Sequence, residues 1–254
     1  MKSKGTLRKL KLAVVGATGM VGKSFVDLLE QNNFPFSELR PFASDQSIGK
    51  QIQLQNQSYS VQPLKPGCFD GLDLVFFSSG DEISRIWAPQ AVASGAWAVD
   101  NSAAFRMDSH ISLVVPEVNG DLLDGLKKPQ IIANPNCSTI QLVVVLNPLY
   151  RAFGMTEVRV SSYQAVSGAG QAGYDELISQ TQSFSKNPHP EAKAFAHPIV
   201  FNCIPQIGSF NDLGFSSEEM KIMQETKKIL SHSALKVSAF TVRVPVLNAH
   251  AEAV

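Results

Sequence analysis

The sequence predicts an α/β protein with two domains: a Rossmann-type domain with a parallel sheet over residues 1–136, and an α+β domain over residues 137–254. Three observations predict this fold class. Short apolar strands alternate with helical segments as far as Pro135, the first strand runs directly into a glycine-rich turn, and longer strands with fewer crossovers follow residue 136. Alternation of strands and helices is typical of an open parallel sheet with right-handed crossovers.

The elements of the first domain follow from the spacing of apolar residues. Leu10–Val15, apolar except for Lys11, predicts a buried parallel strand, and apolar residues at helical spacing predict a helix over 20–29. The remaining predicted elements are strands over 39–43, 72–77, 96–99 and 130–133, and a helix over 83–93.

The second domain shows fewer and longer elements. Helices are predicted over 138–153, 174–182 and 217–230, strands over 157–165 and 237–245, and an extended run over 198–205. The segment 183–190 (SFSKNPHP) combines proline with polar residues and predicts a mobile loop.

Composition excludes several classes of function. Hydrophobic residues make up 44% and charged residues 17% of the 254 residues, which predicts a sizeable core rather than broad disorder. The 22 basic residues balance the 22 acidic ones, so neither a nucleic acid nor an anionic membrane is the expected partner. No apolar run approaches the roughly 20 residues that a membrane span requires.

The three cysteines indicate a reducing compartment. Cys68, Cys137 and Cys203 are too few and too scattered for a disulfide framework or a zinc site, so we expect a cytoplasmic protein without a bound metal. Cys68 and Cys203 are expected to be small core residues, which is the usual role of a cysteine without a motif, and Cys203 also lies in an apolar run.

The first motif is the glycine turn between the first strand and the first helix. Gly16, Gly19 and Gly22 have the spacing G-x-x-G-x-x-G, a relative of the dinucleotide-binding fingerprint. Glycines permit a tight turn that approaches a pyrophosphate, and the helix N-terminus offers free N–H groups and a positive dipole end. The alternative is a tight strand–helix turn that binds no ligand.

The end of the second strand bears on the type of nicotinamide cofactor. An acidic side chain at this position binds the ribose of NAD, whereas a cation with small hydroxyls accepts the phosphate of NADP. Ser44, Ser47 and Lys50 favour NADP, and Asp45 favours NAD.

The second motif is the turn Asn134-Pro-Asn-Cys-Ser-Thr-Ile-Gln141, where a strand ends and a helix begins. Cys137 falls in the first turn of that helix, where the helix dipole favours a thiolate. Neighbouring backbone N–H groups and the Asn136 amide are candidates for an oxyanion hole. The alternative is a small buried cysteine in a helix cap.

A general base is expected near this cysteine. His250 follows a strand that carries Arg243 and is itself followed by Glu252, which makes it the candidate base. The other histidines stand in ordinary polar or loop surroundings: His110, His189, His197 and His232.

Seven segments together resemble the aspartate-β-semialdehyde dehydrogenase family. They run from one end of the chain to the other: 16–22 (GATGMVG), 100–107 (DNSAAFRM), 113–119 (LVVPEVN), 134–141 (NPNCSTIQ), 162–170 (SYQAVSGAG), 218–229 (EEMKIMQETKKI) and 243–254 (RVPVLNAHAEAV).

The resemblance implies a glyceraldehyde-phosphate-dehydrogenase-like architecture with a nucleotide-binding domain and a catalytic and dimerisation domain. It implies NADPH-dependent reduction of L-aspartyl-4-phosphate to aspartate semialdehyde with release of phosphate, in lysine, threonine, methionine and diaminopimelate biosynthesis. NAD is the less favoured cofactor, and a homodimer or homotetramer is expected.

The resemblance also implies roles for individual residues. Cys137 is the acyl-thioester nucleophile and His250 the acid/base. Gln164, Glu218 and Arg243 hold the amino-acid end of the substrate, and Arg106 and Lys221 hold its phosphate. The cofactor is lined by Gly16, Thr18, Gly19, Met20, Val21, Ser44, Gln46, Ser47, Ser167 and Gly168.

The chain departs from the family at three points. Gln46 stands where the family often has arginine, Ala251 stands where serine is common, and the family continues past the position of Val254. Two alternatives stay open. One is an N-acetyl-glutamyl-phosphate reductase, against which Asn136 and Ser138 argue; the other is a truncated nucleotide-binding or dimerising protein with little activity.

Overall fold

The computed structural model describes residues 8–254, and the contacts divide the chain into two compact units. The first seven residues, with which the predicted first domain begins, lie outside the described part. The first unit contains the chain up to Pro116 together with Gly120–Pro135, and the second contains Glu117–Asn119 and Asn136–Val254. Among the helices of residues 8–254, none combines the length and the apolar character needed to cross a membrane.

The first unit is built on a six-stranded parallel sheet. Its strands and those of a small hairpin are β1 Leu10–Val15, β2 Phe36–Phe42, β3 Gln51–Leu54, β4 Gln57–Ser60, β5 Leu74–Phe77, β6 Trp97–Asp100, β7 Ser112–Leu113 and β8 Ile131–Ala133. The order in the large sheet is β2-β1-β5-β6-β8-β7, and β3 and β4 form the antiparallel hairpin.

Both faces of β1 are buried from Leu12 to Val15. The helices of the first unit are α1 Met20–Gln31 and α2 Asp81–Ala93, whereas most of the short α3 Pro116–Asn119 belongs to the second unit. Successive residues of β1 enter different clusters: Leu12 and Val14 pack with residues of α1, and Ala13 and Val15 pack with residues of α2. Alternate side chains of a strand point to opposite faces, so the four consecutive apolar residues from Leu12 to Val15 require cover on both sides.

The second unit carries a three-stranded sheet and three long helices. Its elements are α4 Cys137–Phe153, β9 Glu157–Gln164, α5 Gly170–Ser183, α6 Ser217–Ile229, β10 Lys236–Arg243 and β11 Ala251–Ala253. β9 is central, pairing in parallel with β10 and antiparallel with β11. The register sets Gln164 opposite Arg243, so the last residues of two parallel strands lie side by side.

The structure confirms the predicted fold class, and most element bounds agree within a few residues. The extended run predicted over 198–205 is not continuous: a turn at 200–201, where Phe201 has a φ of +53°, interrupts it, and Ile204 alone of these residues forms a bridge, with Arg243. The expectation that Cys203 is a core residue is also wrong, since Cys203 is exposed, whereas Cys68 is buried as expected. An apolar run without a continuous strand or helix does not bury each of its members.

We predict that Gly22→Ala destabilises the first unit. A Cβ at Gly22 would overlap the carbonyl oxygen of Gly16 and lie 2.8 Å from the Ala17 Cα, so the backbone of the turn must move. Overpacking of this kind costs about 1–3 kcal/mol, and the midpoint of thermal unfolding should fall. Gly19→Ala is the control, because its Cβ would meet Gly16 O at an ordinary 3.4 Å. Equal melting temperatures for the two variants would contradict the packing argument.

Candidate active site

Cys137 is the first residue of α4, and its side chain is exposed. Asn136 is the N-cap: its Oδ1 accepts hydrogen bonds from the backbone N–H groups of Ser138 at 2.9 Å and Thr139 at 3.3 Å. An asparagine cap satisfies helix donors that have no partner inside the helix. The thiol therefore lies at the positive end of a well-capped helix and is open to solvent.

Helix α6 holds Asn136 from the other side. The Asn136 Nδ2 donates to Glu218 Oε1 at 2.8 Å, and the Asn136 backbone N–H donates to Glu225 Oε2 at 2.6 Å. These hydrogen bonds of Asn136 within the second unit hold the turn that precedes Cys137. A direct contribution of its amide to an oxyanion hole stays a prediction.

Glu218 is a buried carboxylate that stays ionised. Burial raises its pKa, but the Lys221 ammonium and hydrogen bonds from Asn136 and Gln164 outweigh this effect and hold the pKa below its ordinary value. Lys221 Nζ lies 3.3 Å from Glu218 Oε2. The pair is not the solvated surface pair that its spacing on a helix would favour, since Glu218 is 6% exposed.

Gln164 connects β9 to the same network. Its Nε2 donates to Ser138 Oγ at 3.0 Å and to Glu218 Oε1 at 3.3 Å, and the residue is buried. The last residue of the central strand is therefore tied both to the start of α4 and to α6.

His250 and Arg243 both form hydrogen bonds with the backbone of Ala165. The Ala165 N–H donates to His250 Nδ1 at 3.0 Å, and Arg243 Nη1 donates to Ala165 O at 2.7 Å. A donor at Nδ1 favours the neutral tautomer that carries its proton on Nε2. Nε2–H is then the ring group that can donate a hydrogen bond to a ligand.

Electrostatics favour a neutral imidazole at His250. Burial and the positive charge of Arg243 lower the His250 pKa below its ordinary value. Burial also lowers the pKa of Arg243, while the charges of Glu218 and Cys137 act in the opposite direction. Cys137 is therefore close enough to Arg243 for the two side chains to interact electrostatically.

Gly168 borders this group and has no room for a side chain. A Cβ there would lie 2.8 Å from Arg243 Nη1 and 3.3 Å from His250 Nε2. The preceding Ser167 donates its N–H to Leu247 O at 3.2 Å. The predicted cofactor-lining residues of the second unit thus adjoin His250.

In the first unit, the glycine turn leaves the N-terminus of α1 without a side-chain cap. Gly16 has a φ of +87°, and a Cβ at this position would lie 2.8 Å from Ser78 O, so only glycine fits. Gly19 N donates to Gly16 O at 3.0 Å, which closes the turn just before Met20 and the exposed Val21. A bare turn and an uncapped helix N-terminus suit a pyrophosphate.

The segment after β2 lies beside this turn. Thr18 Oγ1 donates to Ser47 Oγ at 3.4 Å, and Lys50 Nζ donates to Ser47 Oγ at 3.2 Å. Ser44 and Gln46 are exposed in the same segment. A cation and small polar side chains therefore adjoin the glycine turn.

Arg106 is buried in the first unit, and its Nη2 donates to Asn101 O at 2.9 Å. Asn134 Nδ2 donates to Asn101 Oδ1 at 2.7 Å, so Asn101 connects the arginine loop to the end of β8. The two predicted phosphate ligands lie in different units, Arg106 in the first and Lys221 in the second. Across residues 8–254, no group of three or more His, Cys, Asp or Glu side chains is arranged to hold a metal ion.

Sequence reasoning missed Glu225 as a member of this site. Its carboxylate contacts the backbone of the residue before Cys137, yet it lies in no recognisable catalytic motif. Two signals were available: Glu225 falls in the segment 218–229 that resembles the family, and its spacing of seven residues from Glu218 places both on one face of a helix.

Two family models cover most of the chain. Residues 11–126 match the NAD-binding domain of semialdehyde dehydrogenases, and residues 146–254 match the semialdehyde dehydrogenase dimerisation domain. The fold, the glycine turn and the cysteine turn therefore define a semialdehyde dehydrogenase with a nicotinamide-dinucleotide-binding domain.

Relatives and solved structures show which semialdehyde dehydrogenases this chain resembles. The aspartate-semialdehyde dehydrogenase of Aquifex aeolicus is 45% identical over 246 residues, which are 96% of this chain and 72% of the relative. The enzyme of Bacillus subtilis is 44% identical over an alignment that spans 97% of this chain and 73% of the relative. The structure of aspartate semialdehyde dehydrogenase II from Vibrio cholerae, complexed with ASA, superposes with a TM-score of 0.93 at 42% identity over 96% of this chain and 73% of its own. This chain belongs to the aspartate-semialdehyde dehydrogenase family.

We predict that His250 titrates below 6.5, its ordinary pKa, because burial and the adjacent Arg243 disfavour the imidazolium ion. Arg243→Gln should raise the His250 pKa, since the nearby cation is removed while the burial remains. The measurement is the pH dependence of the His250 C2-proton shift by NMR in both proteins. A His250 pKa that does not rise in the variant would show that Arg243 does not act on the imidazole.

Proposed function

We propose that this chain interconverts L-aspartyl-4-phosphate and L-aspartate 4-semialdehyde with NADP(H), through an acyl-thioester on Cys137. The observation that carries the proposal is an exposed cysteine at a capped helix N-terminus, close to Arg243. Arg243 and His250 both form hydrogen bonds with the backbone of Ala165. The names of the relatives support the same substrate class.

Each step of the proposed reaction has a group suited to it. The Cys137 thiolate attacks the carbonyl carbon of the acyl phosphate, the C–S bond forms, and the C–O bond to phosphate breaks. Arg106 and Lys221 are the proposed ligands of the departing phosphate, because a guanidinium fork and an ammonium both bind phosphate oxygens. The nicotinamide, when bound, supplies the hydride that reduces the thioester.

His250 serves the second half-reaction as a hydrogen-bond donor. Its Nε2–H donates to the thioester oxygen, which becomes negatively charged as the thioester is reduced; the C–S bond then breaks, the carbonyl of the aldehyde re-forms, and Cys137 leaves as the thiolate. The lowered pKa keeps the imidazole neutral near pH 7, in the form whose Nε2–H can make this bond.

Two opposite charges are proposed to bind the amino-acid end of the substrate. Arg243 would pair with the α-carboxylate by its planar fork, and the ionised Glu218 with the α-ammonium group. Gln164 donates to Ser138 and Glu218, and its position between them makes it the proposed support for both the substrate and the turn.

The residues of the first unit fit a nicotinamide dinucleotide, and we propose NADP as the preferred form. Lys50 and Ser47 form a polar and cationic neighbourhood beside the glycine turn, while Asp45 opposes it. The structure of the relative from Candida albicans, determined with NADP, superposes with a TM-score of 0.73 at 30% identity over 96% of this chain and 70% of its own.

The proposed setting follows from the family. We propose a homodimer or homotetramer, assembled through the domain that begins near residue 137, in the cytoplasmic biosynthesis of lysine, threonine and methionine. Residues 1–136 would form the nucleotide-binding domain.

We predict that Cys137→Ala abolishes phosphate-dependent oxidation of aspartate semialdehyde while nucleotide binding persists, because no thioester can form. His250→Ala should lose about 10²–10³-fold in kcat, because the hydrogen-bond donor to the reacting oxygen is removed. Cys203→Ala is the matched control, since Cys203 is also exposed but lies outside the site, and it should turn over normally. Wild-type turnover by the Cys137 variant would refute the mechanism, and turnover of N-acetyl-glutamate semialdehyde alone would refute the substrate.

We predict a modest preference for NADPH, governed by the segment after β2. Gln46→Arg should raise the ratio of kcat/KM for NADPH over NADH about tenfold, since a charge-assisted contact is worth about 1.5–3 kcal/mol. Lys50→Ala should lower the same ratio. If neither substitution changes the ratio, the 2′-phosphate does not bind beside these residues.

A further inference from the structure

Glu225 is a carboxylate that the proposed reaction leaves without a role. It lies on α6, its residue is 1% exposed, and its Oε2 accepts the backbone N–H of Asn136 at 2.6 Å. A buried carboxylate is costly unless hydrogen bonds satisfy it. Because it is enclosed, Glu225 is not placed to touch a substrate, and its contact with Asn136 is its link to the cysteine turn.

The hydrogen bond from Asn136 to Glu225 fixes the backbone just before the nucleophile. The N–H of an N-cap residue has no partner inside the helix that it begins, so its acceptor must come from elsewhere. Here the acceptor is a carboxylate, which binds an N–H more strongly than a neutral carbonyl does. The plane of the peptide that enters Asn136, and with it the direction in which the chain enters α4, is set by α6.

Two carboxylates of α6 accept hydrogen bonds from Asn136. Glu218 accepts from its side chain and Glu225 from its main chain, and the two are seven residues apart, about 10.5 Å along the helix axis. Movement of Asn136 along or around α6 would break one of these bonds. Both side-chain and main-chain positions of the cap are therefore defined.

Helix α6 is itself firmly attached. Its first turn has a capping box between Ser216 and Glu219, and Glu219 Oε1 also accepts the N–H of Thr241 in β10 at 3.1 Å. Ile222 and Ile229, on either side of Glu225 in the helix, are fully buried. Their burial fixes the part of the helix that carries Glu225, and this part does not depend on the contacts that Glu219 makes in the first turn.

We propose that Glu225 is a positioning residue of the reaction: it holds the Asn136 backbone, and through it the Cys137 thiol, in the reactive orientation. This inference rests on the proposed role of Cys137 as nucleophile. It assigns to Glu225 an effect on the reactivity of Cys137 beyond its contribution to the stability of the fold.

The experiment compares Glu225→Ala and Glu225→Gln with Glu219→Ala in the full chain. Glu219 is the matched control, because it is another buried carboxylate of α6 that accepts two backbone N–H groups but does not contact Asn136. Thermal melts first set a temperature at which all variants are folded. Iodoacetamide then alkylates the protein, and mass spectrometry follows Cys137, with the exposed Cys203 as internal reference.

Glu225→Ala should slow Cys137 alkylation and lower kcat for aspartate semialdehyde by about 10–100-fold, the usual result of a displaced reacting group, with KM nearly unchanged. Glu225→Gln retains an acceptor oxygen and should recover most of both rates. Glu219→Ala should react at the wild-type rate although it melts earlier.

Three outcomes would overturn the proposal: wild-type alkylation of Cys137 in Glu225→Ala, equal slowing in Glu219→Ala, or a folded Glu225→Gln that is as slow as Glu225→Ala. The alkylation readout needs no substrate. If the wild-type chain failed to turn over aspartate semialdehyde while the alkylation contrast held, the proposed function would fail and the positioning role of Glu225 would stand.

Discussion

The cap that Asn136 places on α4 is the interaction on which the candidate site depends. Its Oδ1 binds two N–H groups at the start of the helix, and its Nδ2 binds Glu218 of α6. Cys137 follows directly, so the position of the thiol is set by one side chain with both ends engaged. The parallel pairing of β9 and β10 then places Arg243 opposite Gln164, which itself contacts Glu218. One helix cap and one strand register bring the reacting and binding groups of the second unit together.

Two side chains of this network, Glu218 and Arg243, stay ionised although they are buried. Glu218 keeps its ionised form because Lys221 and two amide donors compensate for the loss of water. Arg243 donates to a neutral carbonyl oxygen and lies over the ring of Phe195 at 5.9 Å, contacts that satisfy the guanidinium without neutralising it. An arginine held by neutral partners retains N–H groups and charge for an anionic ligand, which is what recognition of a carboxylate requires.

Much of this organisation follows from the sequence, and the rest depends on contacts that sequence spacing does not reveal. The apolar run of β1 and the glycines after it specify a buried strand and a tight turn by local physics alone. The hairpin of β3 and β4 falls outside the predicted elements: polar and apolar residues alternate in β3, but each strand has only four residues, too few for a clear pattern. Cys203 is exposed because its apolar run forms no continuous strand or helix, and the link from Glu225 to Asn136 joins residues 89 positions apart. Such pairings are set by how α6 packs against α4, which no local pattern encodes.

The two motifs that signalled function use the same element in opposite ways. In each, a parallel strand ends and a helix begins, which exposes backbone N–H groups and the positive end of the helix dipole. At α1, no side chain caps these donors, and glycines keep the turn bare, so the helix start is left open for an anionic ligand. At α4, Asn136 occupies the cap, and the positive end acts on a fixed cysteine instead. A binding site needs donors that are free, whereas a nucleophile needs a backbone that does not move. The difference between Gly19 and Asn136 at the cap position decides between these two uses.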